Sequence, residues 1–230
     1  MSDWFEVTLI RRHPAAANLT KLELDVRGTP IPASYTSPGQ YLKLSLPEKG
    51  EGFFAIASPP GARGDVLELL IKGGGALADA LLALPLGTKV RATGPQGKGF
   101  PLEEARGRRV LLFATGSGIG AVRSLVGTIL KERPSFGEVS LYFGARTPDA
   151  FAYAQELEAW SGAGIRVVRT VSQPGTSGWQ GLQGYVQAHV PLEPLADAAA
   201  FLCGQKGMVQ GVTEALVRQG LPRDRIYLNF

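Results

Sequence analysis

The sequence predicts a two-domain protein: an N-terminal antiparallel β-barrel followed by a C-terminal α/β domain with a doubly wound parallel sheet. Three observations predict it. Up to about residue 104 the chain is a series of short apolar or alternating runs separated by Gly/Pro clusters, the pattern of an all-β barrel. From Arg108 onward strands and helices alternate, as they do in a parallel sheet flanked by helices. A length of 230 residues is enough for two domains, each with its own core.

Taken in order, FEVTLIRR, LTKLELDV, QYLKLSL, FFAIAS, VLELLIK and TKVRATG are the six barrel strands. TPIPASYTSPG, PEKGEG and PPGARGD between them are turns rich in Gly and Pro. GGGALADALLALPLG, between the fifth and sixth strands, predicts a short helix carrying Leu77, Leu81, Leu82 and Leu84 behind a glycine-rich entrance. GFPLEEARGRR holds the boundary, which divides the chain into residues 1–104 and 105–230. RVLLFAT then precedes GSGIGAVRSLVGTILKE, and EVSLYFGA precedes DAFAYAQELEAW. IRVVRTV precedes a Gly-rich loop and GLQGYVQAHV, which is expected to fill the next helix place. AAFLCG precedes KGMVQGVTEALVRQG, and RIYLN is a last strand.

Composition narrows the function. Lys plus Arg number 24 against 20 Asp plus Glu, without a run of five like charges, so a polybasic nucleic-acid-binding segment is not expected. The mildly positive surface suits an acidic partner or a phosphorylated cofactor. One cysteine, Cys203, leaves no internal disulfide and no Cys-rich metal or iron-sulfur site in this chain. MSDWFEVTLIRRHP lacks the apolar core of a secretory signal, and ALADALLALPL is too short for a membrane span. The expected location is cytoplasmic.

In a doubly wound sheet, ligands sit at the carboxyl ends of the strands, and three loops lie there. Thr115-Gly116-Ser117-Gly118-Ile119-Gly120 follows an apolar strand and opens a helix, where backbone N–H groups can meet a pyrophosphate. Its spacing is GxGxG, so alone it reads equally as a ligand loop or a tight turn. Gly144-Ala145-Arg146 places an arginine just past the second strand, either solvated or beside an adenosine ribose. Cys203-Gly204-Gln205-Lys206-Gly207-Met208 is again strand, glycine and helix start, its cysteine either a small core residue or a ligand contact. In the first half GGGALAD reads as a phosphate site or a hairpin loop, with Phe54, Ile56-Ala57-Ser58 and Lys72 expected close to it. Ser117 is not in a GxSxG elbow and neither His13 nor His189 is placed to serve it, which argues against a hydrolase.

The order PGQYLKLSLP, FFAIASPP, IKGGGALADAL, TGPQGKGFPL, ATGSGIGAVRSLV, LYFGARTPDAF, VSQPGTSGWQGLQGYV, FLCGQKGMV, IYLNF resembles the ferredoxin-NADP reductase-like superfamily across essentially the whole chain. It is most similar to a plant and cyanobacterial subgroup, some members of which are described as fruit proteins. The resemblance implies an FAD site along Phe54, Ala55, Ile56, Ala57, Ser58, Lys72, Gly74, Gly75, Ala76, Leu77 and Ala78, with Phe230 covering the flavin face. It implies an NAD(P) site formed by Thr115, Gly116, Ser117, Gly118, Ile119, Gly144, Ala145, Arg146, Ser172, Cys203, Gly204, Gln205 and Met208. The family's Arg-x-Tyr-Ser motif stands here as Gly52-Phe53-Phe54-Ala55, so the flat ring is kept while the diphosphate and flavin hydrogen bonds are not. Its Gly-x-x-Ser/Thr stands as Gly75-Ala76-Leu77-Ala78, and the usual Ala-Pro after GxGI as Gly120-Ala121. Gln173 replaces the arginine that follows the equivalent of Ser172 in NADP-preferring members, which implies NADH or dual use.

What the resemblance implies is a flavin-dependent oxidoreductase passing hydride from NAD(P)H to FAD and electrons on to a separate acceptor, a ferredoxin-like protein or a small molecule. Two rival readings remain at this stage. One is a reductase-like binding or regulatory module with little flavin binding, the other an electron-transfer subunit of a larger complex.

Overall fold

A computed structural model describes residues 3–229. Phe230, expected over the flavin face, lies outside the described residues. The first half forms a six-stranded antiparallel sheet: β1 (Trp4–Ala16), β2 (Leu19–Asp25), β3 (Tyr41–Leu46), β4 (Gly50–Ala55), β5 (Val66–Lys72) and β6 (Lys89–Thr93). A single helical turn, α1 (Ile31–Ser34), separates β2 from β3, and α2 (Ala76–Ala83) separates β5 from β6. The strand order is β4-β3-β6-β1-β2-β5. Just past β4, a bridge between Ile56 and Leu69 and a bond from Ala57 N to Glu68 O (2.7 Å) bring the chain back onto β5 and close the barrel.

Alternation explains which side chains fill it. In β3, Leu42, Leu44 and Leu46 point inward while Tyr41, Lys43 and Ser45 stand outside. Register carries this to β4, where Phe54 lies opposite Leu42 and Gly52 opposite Leu44. Phe54 therefore sits on the inward face, at the rim where Leu77 and Ala78 of α2 cover the core. The sequence suggested FFAIAS as the strand; it instead ends at Ala55, because Ile56 and Ala57 leave β3 to reach β5.

The second half is a fully parallel six-stranded sheet. Its strands are β7 (Arg109–Thr115), β8 (Val139–Ala145), β9 (Ile165–Val171), β10 (Leu182–Gln183), β11 (Ala198–Cys203) and β12 (Ile226–Leu228). Three helices flank it, α3 (Ile119–Lys131), α4 (Ala154–Gly162) and α5 (Lys206–Arg218). The order β10-β9-β8-β7-β11-β12 reverses direction at β7, so the crevice between the β7 and β11 ends is a topological switch point. Val110 to Ala114 are wholly buried, since helices cover both faces of a parallel sheet.

One expected element is corrected here. GLQGYVQAHV is not a helix: it holds the two-residue β10 and a single 3-10 turn at Val186–His189. Gly184, with φ +97°, breaks the segment, leaving too few residues for a stable α-helix. The halves share a core. Leu19 and Leu70 of the barrel belong to the cluster built by β7 and α3, and Phe100 of the connecting segment packs edge-on against Phe201 of β11, centroids 5.5 Å apart. No helix among the described residues is long and apolar enough to cross a membrane.

Candidate functional site

Above the carboxyl ends of β7, β8, β9 and β11 lies a groove of about 740 Å³. Its floor is made by three strand-end loops, and close backbone approach there depends on glycine. A Cβ on Gly118 would collide with the Cys203 carbonyl, and one on Gly204 with Thr115 Oγ1. Thr115 Oγ1 in turn accepts a hydrogen bond from Gln205 N (3.1 Å), tying the start of α5 to the end of β7. Two helix starts thus meet in the groove: α5, whose first turn has no side-chain cap, and the Gly116–Gly118 turn that leads into α3. Unsatisfied N–H groups at helix starts favour an anion.

The far end of the groove is equally ordered. Ser172 N donates to Ala145 O (3.0 Å) and Gln173 N to Arg146 O (2.8 Å), so the β8 and β9 loops run side by side. The Arg146 guanidinium donates from Nε to Gln173 Oε1 at 2.7 Å, which leaves its other nitrogens for a ligand. Lys72 and Arg146 are the charged residues of the groove's lining among the described residues, where no carboxylate side chain lines it.

Of the residues expected at a nicotinamide dinucleotide, Thr115, Gly116, Gly144, Ala145, Arg146, Ser172, Gln205 and Met208 line this one groove. Gly118 and Ile119 lie buried beneath it, Ser117 is half-buried, and Cys203 and Gly204 form the packed seam between β7 and β11. Burial pushes the Cys203 thiol up to about 11, with a weak opposing contact from Asn229 Nδ2 at 3.8 Å.

The expected flavin residues divide differently. Phe54, Leu77 and Ala78 are half-buried together on the barrel rim, and Gly74, Gly75 and Ala76 are exposed at the start of α2. The α2 start has no side-chain cap, although Asp79 Oδ1 accepts from Gly74 N (2.8 Å). Ala55 is half-buried against the core of the second half. Ile56, Ala57 and Ser58 are buried: Ile56 N donates to Gln40 O, Ala57 N to Glu68 O, and Ser58 Oγ accepts from Glu68 N. Lys72, expected beside the flavin, lines the groove above the β7, β8, β9 and β11 ends. A Cβ on Gly52 would stand 2.9 Å from Leu77 Cδ2, so an apolar methyl fills the space where an arginine stem would begin.

Sequence reasoning missed several lining residues. Tyr185, 68% exposed, and Gln187 flank the groove from the segment read as a helix; an aromatic directly after a glycine, in a loop rich in glycine, was the available signal. Asn18 and Leu19 reach the groove from the tip of the β1–β2 hairpin, where Ala17 N donates to Asp149 O (3.0 Å). No local pattern announces that contact. A second cavity of about 520 Å³ lies around Arg109, Glu193 and Asp197 at the amino-terminal edge of the sheet, the end away from the loops.

The chain resembles known proteins in both sequence and fold. The family described as oxidoreductase NAD-binding domain matches residues 112–214. The fruit protein pKIWI502 of Actinidia deliciosa is 32% identical over 97% of this chain and 76% of its own length. Ferredoxin–NADP reductase B of Sorangium cellulosum is 34% identical over 83% of each chain. Among solved structures, a ferredoxin NADP+ reductase from Neisseria gonorrhoeae with bound FAD and NADP superposes with a TM-score of 0.81 at 19% identity, covering 99% of this chain and 98% of that one. At that identity the likeness concerns the fold.

Proposed function

The chain belongs to the ferredoxin-NADP reductase-like superfamily, and from that premise we propose that it is an NAD(P)H-dependent flavin oxidoreductase. Residues 1–104 would bind the flavin and residues 105–230 the nicotinamide dinucleotide. The observation that carries this reading is the groove at the switch point, which gathers two helix starts, Arg146 and Lys72 with no carboxylate side chain among the described residues that line it. Such a donor set suits a ligand bearing several phosphates.

For the dinucleotide, the Gly116–Gly118 turn and the start of α5 would receive the pyrophosphate, Arg146 and Tyr185 the adenosine, and Met208 with the Cys203–Gly204 seam the nicotinamide end. For FAD, the Phe54 ring offers a flat surface and the uncapped start of α2 offers N–H groups to the diphosphate. The side chains of Gly52 and Ala55 add no polar contact. A flavin, when bound, supplies the acceptor for the nicotinamide hydride. The chain's own work is to bind, orient and stack the two rings, and no side chain is required as an acid or base. Electrons would then leave to a separate acceptor, a ferredoxin-like protein or a small molecule.

The Leu77 methyl against Gly52 favours one alternative, a nucleotide-binding module that holds no flavin. NADH and NADPH oxidation, with added FAD and ferricyanide as final acceptor, separates the two. The reductase reading expects FAD-dependent oxidation, and Arg146→Ala is expected to raise KM for NADPH more than for NADH. Binding of NADPH with no oxidation at tens of micromolar FAD would leave the module.

A further inference from the structure

The segment Ala57–Pro60 continues directly from the Phe54 strand, and α3 starts directly from the Gly116–Gly118 turn. The two run side by side and are joined at every turn of the helix. Gly120 lies against Ala57 and Leu70: a Cβ there would stand 3.4 and 3.2 Å from theirs. One turn on, Arg123 Nη1 donates to Ala57 O at 3.0 Å. The Tyr35 hydroxyl donates to Ser58 O (2.7 Å) and meets Ser124 Oγ (2.7 Å), with all three residues buried. At the next turn Gly127 leaves room only for the Pro59 ring, and finally Lys131 Nζ donates to Pro60 O at 3.1 Å.

Arg123 also crosses the seam electrostatically. Its guanidinium pairs with Glu68 of β5, which is 2% exposed, and at 2.6 Å with Glu156 of α4, while lying 4.9 Å over the Tyr153 ring. Glu68 is held from the barrel side by Arg63 (2.8 Å) and Lys21 (3.4 Å). Tyr153 is a non-glycine residue with φ +63°, a backbone state that persists only where its surroundings fix it. A planar cation that bridges one carboxylate from each half, through Nε to Glu156 and Nη1 to Glu68, suits a fixed joint better than a sliding one.

We infer that the Ala57–Pro60 segment and α3 form a rigid fastening between the two halves, with Arg123 as a positioning residue that sets the separation of the Phe54 strand from the Gly116–Gly118 turn. Nucleotide then enters a groove already formed, without a hinge between the halves. The catalytic consequence rests on the reductase reading; the fastening itself does not.

The test is a distance between nitroxide labels at Lys49→Cys and Gln155→Cys, both exposed and in different halves, measured by pulsed electron spin resonance. Native Cys203 is half-buried with a raised pKa and labels more slowly. The expected result is one narrow distance, unchanged by NADPH, that broadens in Arg123→Met and shifts in Gly127→Leu. Arg123→Lys, which restores the charge without the planar fork, is expected to lie between. With FAD and NADPH, Arg123→Met should lower kcat by about a hundredfold with little change in KM, the pattern of a misplaced reacting pair. A broad wild-type distance, a shift on adding NADPH, or an unchanged distance in both Arg123→Met and Gly127→Leu would overturn the inference. If Arg123→Met does not fold, Gly127→Leu decides, since it acts at the Pro59 contact, one helical turn beyond the Arg123 ion pairs. Absence of NADPH oxidation in the wild type would count against the reductase reading and leave the distance result standing.

Discussion

Restoring an arginine to the flavin strand is the sharpest perturbation. Gly52 faces Leu77 Cδ2, 2.9 Å from where a Cβ would stand, so Gly52→Arg is paired with Leu77→Ala to give the new side chain room. Truncating a half-buried leucine costs about 1 kcal/mol of stability, which a folded two-domain protein tolerates. A charge-assisted hydrogen bond from the new guanidinium to a diphosphate contributes about 1.5 to 3 kcal/mol, or roughly 10- to 150-fold in affinity. Quenching of flavin fluorescence measures it, with riboflavin titrated beside FAD as the control that lacks a diphosphate. FAD affinity should rise by that factor in the double variant and riboflavin affinity should stay as it was. Ala55→Ser, which adds a neutral bond to the ring itself, should instead improve both by about 2- to 12-fold. Equal gains for FAD and riboflavin in the Gly52→Arg/Leu77→Ala variant, or no gain for FAD, would refute the placement of the diphosphate beside β4 and α2.

Lys72→Ala should weaken NADH and NADPH alike and flatten the salt dependence of their binding, because an exposed lysine contributes a screened charge; a loss confined to FAD would return Lys72 to the flavin side. Burial works to raise the Glu68 pKa, but Arg123, Lys21 and Arg63 bring it below the ordinary value of 4.5. Its contribution to stability is therefore complete above that value and is lost as pH falls through the depressed pKa. Glu68→Gln should cost about 2 to 3 kcal/mol at pH 7 in urea unfolding, below the usual loss for a broken buried pair because Arg123 keeps Glu156. The gap should close in acid, and a gap independent of pH would contradict the ion-pair account. Cys203, its pKa raised to about 11 by burial, should react with iodoacetamide at pH 8 more slowly than a free thiol. Rapid alkylation would show that the β7–β11 seam is open.

What was legible in the sequence was what is local. The run Val110 to Ala114, apolar without alternation, announced a buried parallel strand, and the glycines after it announced a close approach. The barrel followed from alternation in β3 and from Gly/Pro turns. Sequence order hid contacts between distant segments. Lys72 was placed near GGGALAD because it precedes it in sequence; the fold also brings it, at the end of β5 beside the β1–β2 hairpin, into the groove at the strand ends. Gly120 looked like a lost family residue; it is small because Ala57 and Leu70 press on it. Arg123, one cation among 24 basic residues, gives no sign in sequence that Glu68 and Glu156 will converge on it. Tyr185 was hidden by periodicity, since GLQGYVQAHV carries apolar residues at helix-like spacing while its glycines prevent the helix.

The central claim, that one chain brings a nicotinamide dinucleotide and a flavin into register, is tested most directly by mixing the protein with FAD and NADH or NADPH without oxygen. The account predicts that the visible absorption of the oxidised flavin is lost at a rate that saturates with both protein and nucleotide. Flavin that stays oxidised, although NADPH occupies the groove and FAD fluorescence is quenched by the protein, would contradict it.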